Sequence, residues 1–440
     1  MVKIVCIHTA NVTDRLINTG IVDYTALMAA LQGKGDQIAG LFMSDAASAD
    51  LRIPDAWPGY DDHLSAEESM RQFPQEEFQT MVGAAAMCEK ALPVLVVNMG
   101  ERTGFRLSPE TLHNYPVVAV SHEFMRLDGE RRILRLRQFC AADQILFTNE
   151  EERDAALTAM RDVFGDARAA SMAQKISVYP VPSNIVPPAR LAEPTDRAPN
   201  VVVFGVIKAR KGLEKVPLMA QQIKDDPTLT GRKIILMGSV PTHGGEDGQD
   251  GGSILRDLLP QVFGPQEGLA GKSDADLVAL ALQLERSVRL EDRLLPIELR
   301  LNEPMEEVSH VLSQNRYCFL PLPRGATGHS GTLAAALEHH MITFIARNPD
   351  GLTPDILQNG CVYLPDRPED FVVTMKRHEK EQARNPRMET AMVAAGDPYR
   401  DAIGWPGLIR LVNGMARKAV ALHYGNQAIA DATCAADCAL

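Results

Sequence analysis

Apolar residues along the chain fall into short β-rich runs separated by longer stretches with helical spacing. In the first half the runs are Lys3 to His8, Val94 to Asn98, Val117 to Val120, Gln144 to Phe147 and Ile176 to Val181. Between them, Tyr24 to Leu31 carries Leu27, Met28 and Leu31 on one helical face, and Phe78 to Leu92 carries Met81, Ala85 and Cys88. Strands alternating with helices predict a parallel, doubly wound sheet. The next stretch holds Pro182, Pro187, Pro188, Pro194 and Pro199 and reads as a linker. Strand-like runs resume at Val201 to Phe204, Lys233 to Met237, Arg316 to Leu322, Ile342 to Ile345 and Cys361 to Leu364. A Gly-Asp-Pro break at 396–398 precedes a terminal helix, Trp405 to His423. The pattern predicts an α/β protein of two sheet-and-helix domains, 1–188 and 201–396. A linker at 189–200 joins them, a closing helix spans 397–424, and the small, polar residues 425–440 form a disordered tail.

The richest segment is CFLPLPRGATGHSGTLAAALEHHMITFIA, residues 318–346. It reads strand, glycine-containing loop, helix, strand, the βαβ unit of a parallel sheet. Gly325, Gly328 and Gly331 let a ligand approach the backbone, while Ser330 and Thr332 bring hydroxyls to the free N–H groups of a helix N-terminus. Such a turn favours an anion, typically a phosphate; it also reads as an ordinary capped helix. Phe204 to Leu213, FGVIKARKGL, places Lys208, Arg210 and Lys211 just past a buried strand. Ligands of open α/β sheets collect there, where Lys211 can hold a phosphate as a point charge and Arg210 can chelate one. A solvated basic loop is the alternative, against which Gly205 and Gly212 weigh.

Three weaker motifs stand at other strand ends. Asn18 to Thr25 opens the first helix with Gly20, but GxGxxG is absent and Asp23 or Thr25 reads equally as a cap. Ser121-His122-Glu123-Phe124 makes His122 a candidate acid/base or a donor to a sugar hydroxyl, or a histidine satisfied by local backbone. Gly328-His329-Ser330-Gly331-Thr332 approaches the GxSxG nucleophile elbow, with the final glycine displaced by one residue and no clear Asp and His partners. The glycine- and acid-rich THGGEDGQDGG, 242–252, lacks EF-hand spacing and reads as a flexible excursion.

Composition narrows the partners. The chain has 440 residues, 45% hydrophobic and 23% charged, with a net charge of -12. That charge argues against nucleic acid as the main partner, although basic residues cluster locally at Arg131 to Arg137 and Lys208 to Lys211. Seven scattered cysteines with no CxxC fit reduced thiols; Cys434 and Cys438 have no further metal ligands nearby. No apolar run reaches the roughly 18 residues of a membrane span, which leaves only peripheral membrane contact open. MVKIVCIHTANVTDR reads as a first strand rather than a signal peptide, so a cytoplasmic location is expected.

Together these segments resemble the GT-B glycosyltransferases, in particular the retaining, family-4-like group. TGIVDYTALMAAL is similar to that group's first loop and helix. VVAVSHEF followed by AADQILFTNEEERDAAL resembles its strand, His-Glu, strand, Thr-Asn, Glu-Arg run. ISVYPVPSNIVPP, VVVFGVIKARKGLEK, the 318–346 segment and WPGLIRLVNGMARKAV resemble its linker approach, phosphate-binding loop, donor loop and closing helix. The resemblance implies two Rossmann-like domains, parallel sheets with helices on both faces, and a C-terminal helix that packs back on the N-terminal, acceptor-side domain. It implies a nucleotide-diphosphate-sugar as co-substrate, with no cofactor and no metal. The donor phosphates would meet Lys211, Arg210, Lys208 and the residues Gly328, His329, Ser330, Gly331 and Thr332. Gly20, Ile21, Glu123 and Thr327 would line the cleft near sugar and acceptor, with His122 the candidate catalytic residue. The acceptor would be a glycan, a glycolipid or a small molecule. Many members carry two glutamates eight positions apart in the donor loop and helix; here Thr327 and Ala335 stand at those positions, with Glu338 one turn on. A pseudo-glycosyltransferase, an epimerase or a non-catalytic nucleotide-sugar-binding protein of the same fold, and more distantly a serine hydrolase, are the alternatives.

Overall fold

The structure is a computed structural model. It describes residues 4–11, 28, 38–43, 79–80, 82–83, 86–87, 91–100, 107–207, 211–240, 251–322, 330–346, 357 and 359–425. The chain divides into two units, residues 1–180 with 403–440, and residues 181–402.

The first unit is built on six strands: β1 (Ile4–Asn11), β2 (Ile38–Met43), β3 (Leu92–Met99), β4 (Val117–Ser121), β5 (Gln144–Phe147) and β6 (Ile176–Val178). They lie in the order β2-β1-β3-β4-β5-β6, every neighbouring pair parallel. Helices α1 (Pro109–His113), α2 (Gly129–Ala141), α3 (Glu150–Phe164) and α4 (Asp166–Ala173) connect the later strands. Local chemistry sets their ends. Asn149 Oδ1 accepts from Glu152 N at 2.7 Å and caps α3, whose first turn holds Glu150, Glu151 and Glu152 against the positive end of the helix dipole.

Leu95, Val97, Ala119, Ile145 and Phe147 form one apolar face with Leu136, Phe139, Ala156 and Met160 from the helices. By strand alternation Val94, Val96, Val118 and Val120 turn to the other face. The C-terminal helix (Trp405–His423, α13 below) packs against β3, β4 and β5. Tyr179 Oη donates to Gly404 O at 2.7 Å and fixes the start of that helix.

The second unit holds β7 (Ala198–Phe204), β8 (Ile234–Gly238), β9 (Ile297–Leu301), β10 (Asn315–Leu320) and β11 (Ile342–Ile345). Their order is β11-β10-β7-β8-β9, again parallel throughout. Its helices are α5 (Val216–Asp225), α6 (Gly251–Phe263), α7 (Asp274–Ser287), α8 (Met305–Gln314), α9 (Gly331–Glu338), α10 (Phe371–Arg384) and α11 (Met388–Ala395). Helix α12 (Asp397–Ile403) ends the unit's chain, and α13 (Trp405–His423) follows. Aromatic rings staple α10 to the sheet: Phe319 stacks on Phe371 at 4.6 Å, and Phe344 meets Phe371 edge-on at 4.9 Å.

Several elements differ from the sequence expectation. β2 and β9 stand where the apolar pattern predicts no strand, and Leu92 starts β3 rather than ending a helix. Cys361 to Leu364 is not a strand. One bridge pairs Phe344 with Tyr363, and Pro365, lacking an N–H, stops the ladder. The prolines at 182–199 belong to the second unit, and β7 already begins at Ala198. Asp397 and Pro398 open α12 instead of breaking the chain, because proline is tolerated in a first helical turn. Gly251 and Gly252 open α6; the rest of the acidic excursion, most of the Tyr24 to Leu31 helix and residues 426–440 lie outside the described residues. Among the described residues no helix is long and apolar enough to cross a membrane.

Candidate functional site

The two glycine-rich segments of the second unit converge at the carboxyl end of its sheet. β7 runs into Gly205, whose φ of 130° suits glycine, and an added Cβ there would stand 3.0 Å from Thr332 Cγ2 at the start of α9. Gly212 has φ 74°, and a Cβ would fall 1.8 Å from Pro321 O at the end of β10. Close backbone packing thus draws the loops after β7 and β10 together. A small pocket between them, about 20 Å³, is lined mostly by apolar residues such as Ile207 and Leu322, with Gly205, Lys211 and Thr332 at its wall. Lys211 and Thr332 therefore share one pocket although they stand 121 positions apart in the chain. Ser330 is the N-cap of α9: its Oγ accepts from Leu333 N at 3.2 Å and lies 2.9 Å from Thr332 Oγ1. These contacts give Ser330 a capping role. Lys208, Arg210, Thr327, Gly328 and His329 lie outside the described residues.

Further along α9, Ala335 is completely buried and its carbonyl lies 2.7 Å from His339 Nδ1. Burial pushes the Glu338 carboxyl up to about 7, against the opposing charge of Arg400. Burial also pulls His339 down to about 4, so this completely buried ring is neutral at pH 7.

In the first unit the predicted residues stand at the carboxyl ends of β3 and β4. His122 N donates to Met99 O at 2.9 Å, and the ring's Nε2 lies 3.1 Å from Asn98 Oδ1. Asn98 is 1% exposed. Glu123 accepts from Arg126 Nη1 at 2.7 Å. Glu152 reaches back to the same turn, accepting from Met125 N at 2.8 Å; burial raises its pKa, and the Glu123 charge adds to the rise. Gly20 and Ile21 lie outside the described residues.

Sequence reasoning missed Asn98, Arg135 and Gln138. Arg135 belongs to the local cluster of basic residues at 131–137, yet it is fully buried. Its Nη2 donates to Gly100 O at 3.1 Å and its Nε to Gln138 Oε1 at 3.0 Å, while Gln138 Nε2 donates to Leu107 O at 2.8 Å. Helix α2 thus holds both ends of the loop that leaves β3. Burial lowers the Arg135 pKa to about 9, which still leaves it cationic at pH 7; Glu123 opposes the fall. The one available signal was the apolar phase of α2, which places position 135 with Leu136 and Phe139.

Solved structures share this architecture from end to end. Sucrose-phosphate synthase from Thermosynechococcus elongatus superposes with a TM-score of 0.53 at 13% identity, covering 96% of this chain and 100% of its own. Trehalose 6-phosphate synthase from Burkholderia multivorans gives 0.51 at 13% identity, with 97% and 98% covered. An alpha-glucosyltransferase solved with UDP-glucose and DNA gives 0.53 at 10% identity, with 92% and 96% covered. The chain has the GT-B fold. No protein-family model and no curated protein sequence matches the chain. At these identities the likeness establishes the fold. In GT-B terms the convergent loops belong to the C-terminal Rossmann-like unit, and His122 to the N-terminal one.

Proposed function

We propose that the protein is a cytoplasmic glycosyltransferase that moves a sugar from a nucleotide-diphosphate donor to a hydroxyl of a glycan, glycolipid or small-molecule acceptor. The observation that carries this reading is the pocket shared by Lys211 and Thr332 at the carboxyl end of the second sheet. A cation, a pair of hydroxyls and the amides of a helix N-terminus are the groups that bind a diphosphate. They stabilise charge on the departing diphosphate without a metal, and the proposed mode of transfer is retention. His122, at a strand end of the first unit, is proposed to meet the transferred sugar or the acceptor.

Lys211→Ala is expected to weaken UDP binding roughly 10- to 150-fold, or about 1.5–3 kcal/mol, the range for hydrogen bonds to a charged group. Calorimetry with UDP reads this directly, and unchanged binding removes Lys211 from the phosphate site. A panel of nucleotide sugars, with and without EDTA and candidate acceptors, then decides the chemistry. Release of diphosphate with sugar transferred supports the reading, and loss of turnover in EDTA contradicts the metal-free part of it. The missing carboxylate at Ala335 favours one rival, a binding protein that holds nucleotide sugar without turnover, while an isomerised donor would indicate an epimerase.

A further inference from the structure

Among the described residues, Asn302 and His340 are the two non-glycine residues with positive φ. Asn302, at φ 58°, directly follows β9 at the carboxyl end of the second sheet. Glycine would hold this left-handed backbone at no steric cost, so the asparagine is explained by what its side chain does. Its Oδ1 accepts from Val240 N at 2.9 Å, and its own N–H donates to Gly238 O at 2.9 Å. A backbone N–H faces the amide, so the atom it meets is the oxygen, and the orientation of the side chain is settled. Asn302 thereby grips both sides of the turn that leaves β8, residues 238–240. On its other flank that turn is tied to the loop after β7. Gly205 N donates to Met237 O at 3.1 Å, and Ile207 N donates to Ser239 O at 2.9 Å. The packing there is close: a Cβ on Gly238 would fall 1.8 Å from Gly205 O and 3.1 Å from Ile207 Cγ1. Gly205, Ile207, Met237 and Lys211 all line the pocket described above.

We propose that Asn302 is a positioning residue for the pocket that Lys211 lines: from the edge strand it latches the turn after β8, and that turn fixes Ile207 in the loop after β7. The route runs from Asn302 to Val240, and from the adjoining Ser239 to Ile207. Gly212, packed against Pro321, sets the far end of the same loop. Asn302 acts through the loop rather than on the ligand. A loop held at both ends before binding leaves less ordering for the ligand to bring about, and affinity rises accordingly. That the ligand is a diphosphate rests on the glycosyltransferase reading; the latch itself does not.

The two parts separate experimentally. Asn302→Gly keeps the left-handed backbone and removes only the side-chain bond, which makes it the diagnostic variant. Hydrogen exchange of the full-length protein, resolved to single amides, reads the latch. The amides of Val240 and Ile207 should exchange faster in Asn302→Gly, with β10 and β11 unchanged. Asn302→Asp, which keeps an acceptor oxygen in place, should restore their protection. Calorimetry with UDP reads the consequence. Asn302→Gly is expected to bind UDP about 2- to 10-fold more weakly, the equivalent of one ordinary hydrogen bond. In a Lys211→Ala background the same substitution should cost little further affinity, because the loop no longer carries that cation. Wild-type exchange at Ile207 in Asn302→Gly overturns the proposal. UDP affinity equal to wild type in that variant, or losses that add in full in the double variant, overturn the positioning role and leave Asn302 a structural cap. Should Asn302→Gly not fold, Asn302→Asp decides: protection retained at Val240 and Ile207 supports the latch, and protection lost overturns it. Wild-type protein that binds no UDP defeats the nucleotide-sugar reading and leaves the latch to the exchange result.

Discussion

Replacing Glu389 with alanine is expected to destabilise the second unit by about 3–5 kcal/mol, the cost of removing one partner from a buried ion pair. Glu389 is 1% exposed, at the start of α11. Its Oε1 accepts from Arg316 Nε at 2.8 Å, Arg316 Nη2 at 2.6 Å and His378 Nε2 at 2.6 Å. His378 is itself completely buried, and its Nδ1 lies 2.8 Å from Tyr363 Oη. Truncation would leave the guanidinium of β10 and the imidazole of α10 without this acceptor in a dry interior. Both tryptophans, Trp57 and Trp405, lie in the first unit, so indole fluorescence would not see the change. Hydrogen exchange of β10 and α10 peptides does, and an effect below about 1 kcal/mol would remove the network from the account of stability.

The same carboxylate predicts a pH window. Burial tends to raise its pKa, but hydrogen bonds from His378 and Arg316 outweigh burial and hold it below the ordinary 4.5. A depressed folded-state pKa contributes stability that is complete above the unfolded value and fades as pH falls through the folded one. The difference between wild type and the alanine variant should therefore shrink as the pH falls below about 4.5.

Gly212→Ala should cost about 2–5 kcal/mol. Its left-handed φ of 74° penalises any L residue by about 1–2 kcal/mol, and crowding of a packed site adds about 1–3 kcal/mol. The new methyl would overlap Pro321 O at 1.8 Å, and that atom is backbone, with no rotamer to move aside. Relief requires the loop after β7 to lift from the end of β10, which takes Lys211 with it. UDP affinity should fall together with the melting temperature. A variant that melts like wild type and binds UDP normally would show that the two loops need not touch.

Both halves of the fold were legible because strands of a parallel sheet are buried on both faces and read as unbroken apolar runs. β3 and β4 show this directly. The two strands that the apolar pattern does not reveal, β2 and β9, are edges. In β9, Glu298 and Arg300 alternate with Ile297, Leu299 and Leu301, and the two charged side chains pair with each other at 2.7 Å. β2 carries Ala39 and Gly40, poor strand formers. Of the site, the Lys211 and Thr332 loops were legible because each follows a central strand. Asn98 and Arg135 were not, because each acts on a loop remote in sequence. A strand-end asparagine looks like a turn residue, and an arginine in a basic helix looks like surface. Only the fold places Asn98 beside His122 and Arg135 beneath Gly100.

The first unit is closed by α13, the last helix among the described residues, while the second unit is inserted whole at residues 181–402. Synthesis therefore finishes the inner unit before the outer one. The valine face of β3 and β4 must wait while the residues between 180 and 403 are added, roughly 10–45 s at ordinary rates of elongation. At the end of that interval a nascent chain has a complete second unit and an uncovered apolar sheet in the first. A chain cut short after Ala402 and before Trp405 yields the same species permanently, with its apolar sheet face left for chaperones and proteases to recognise.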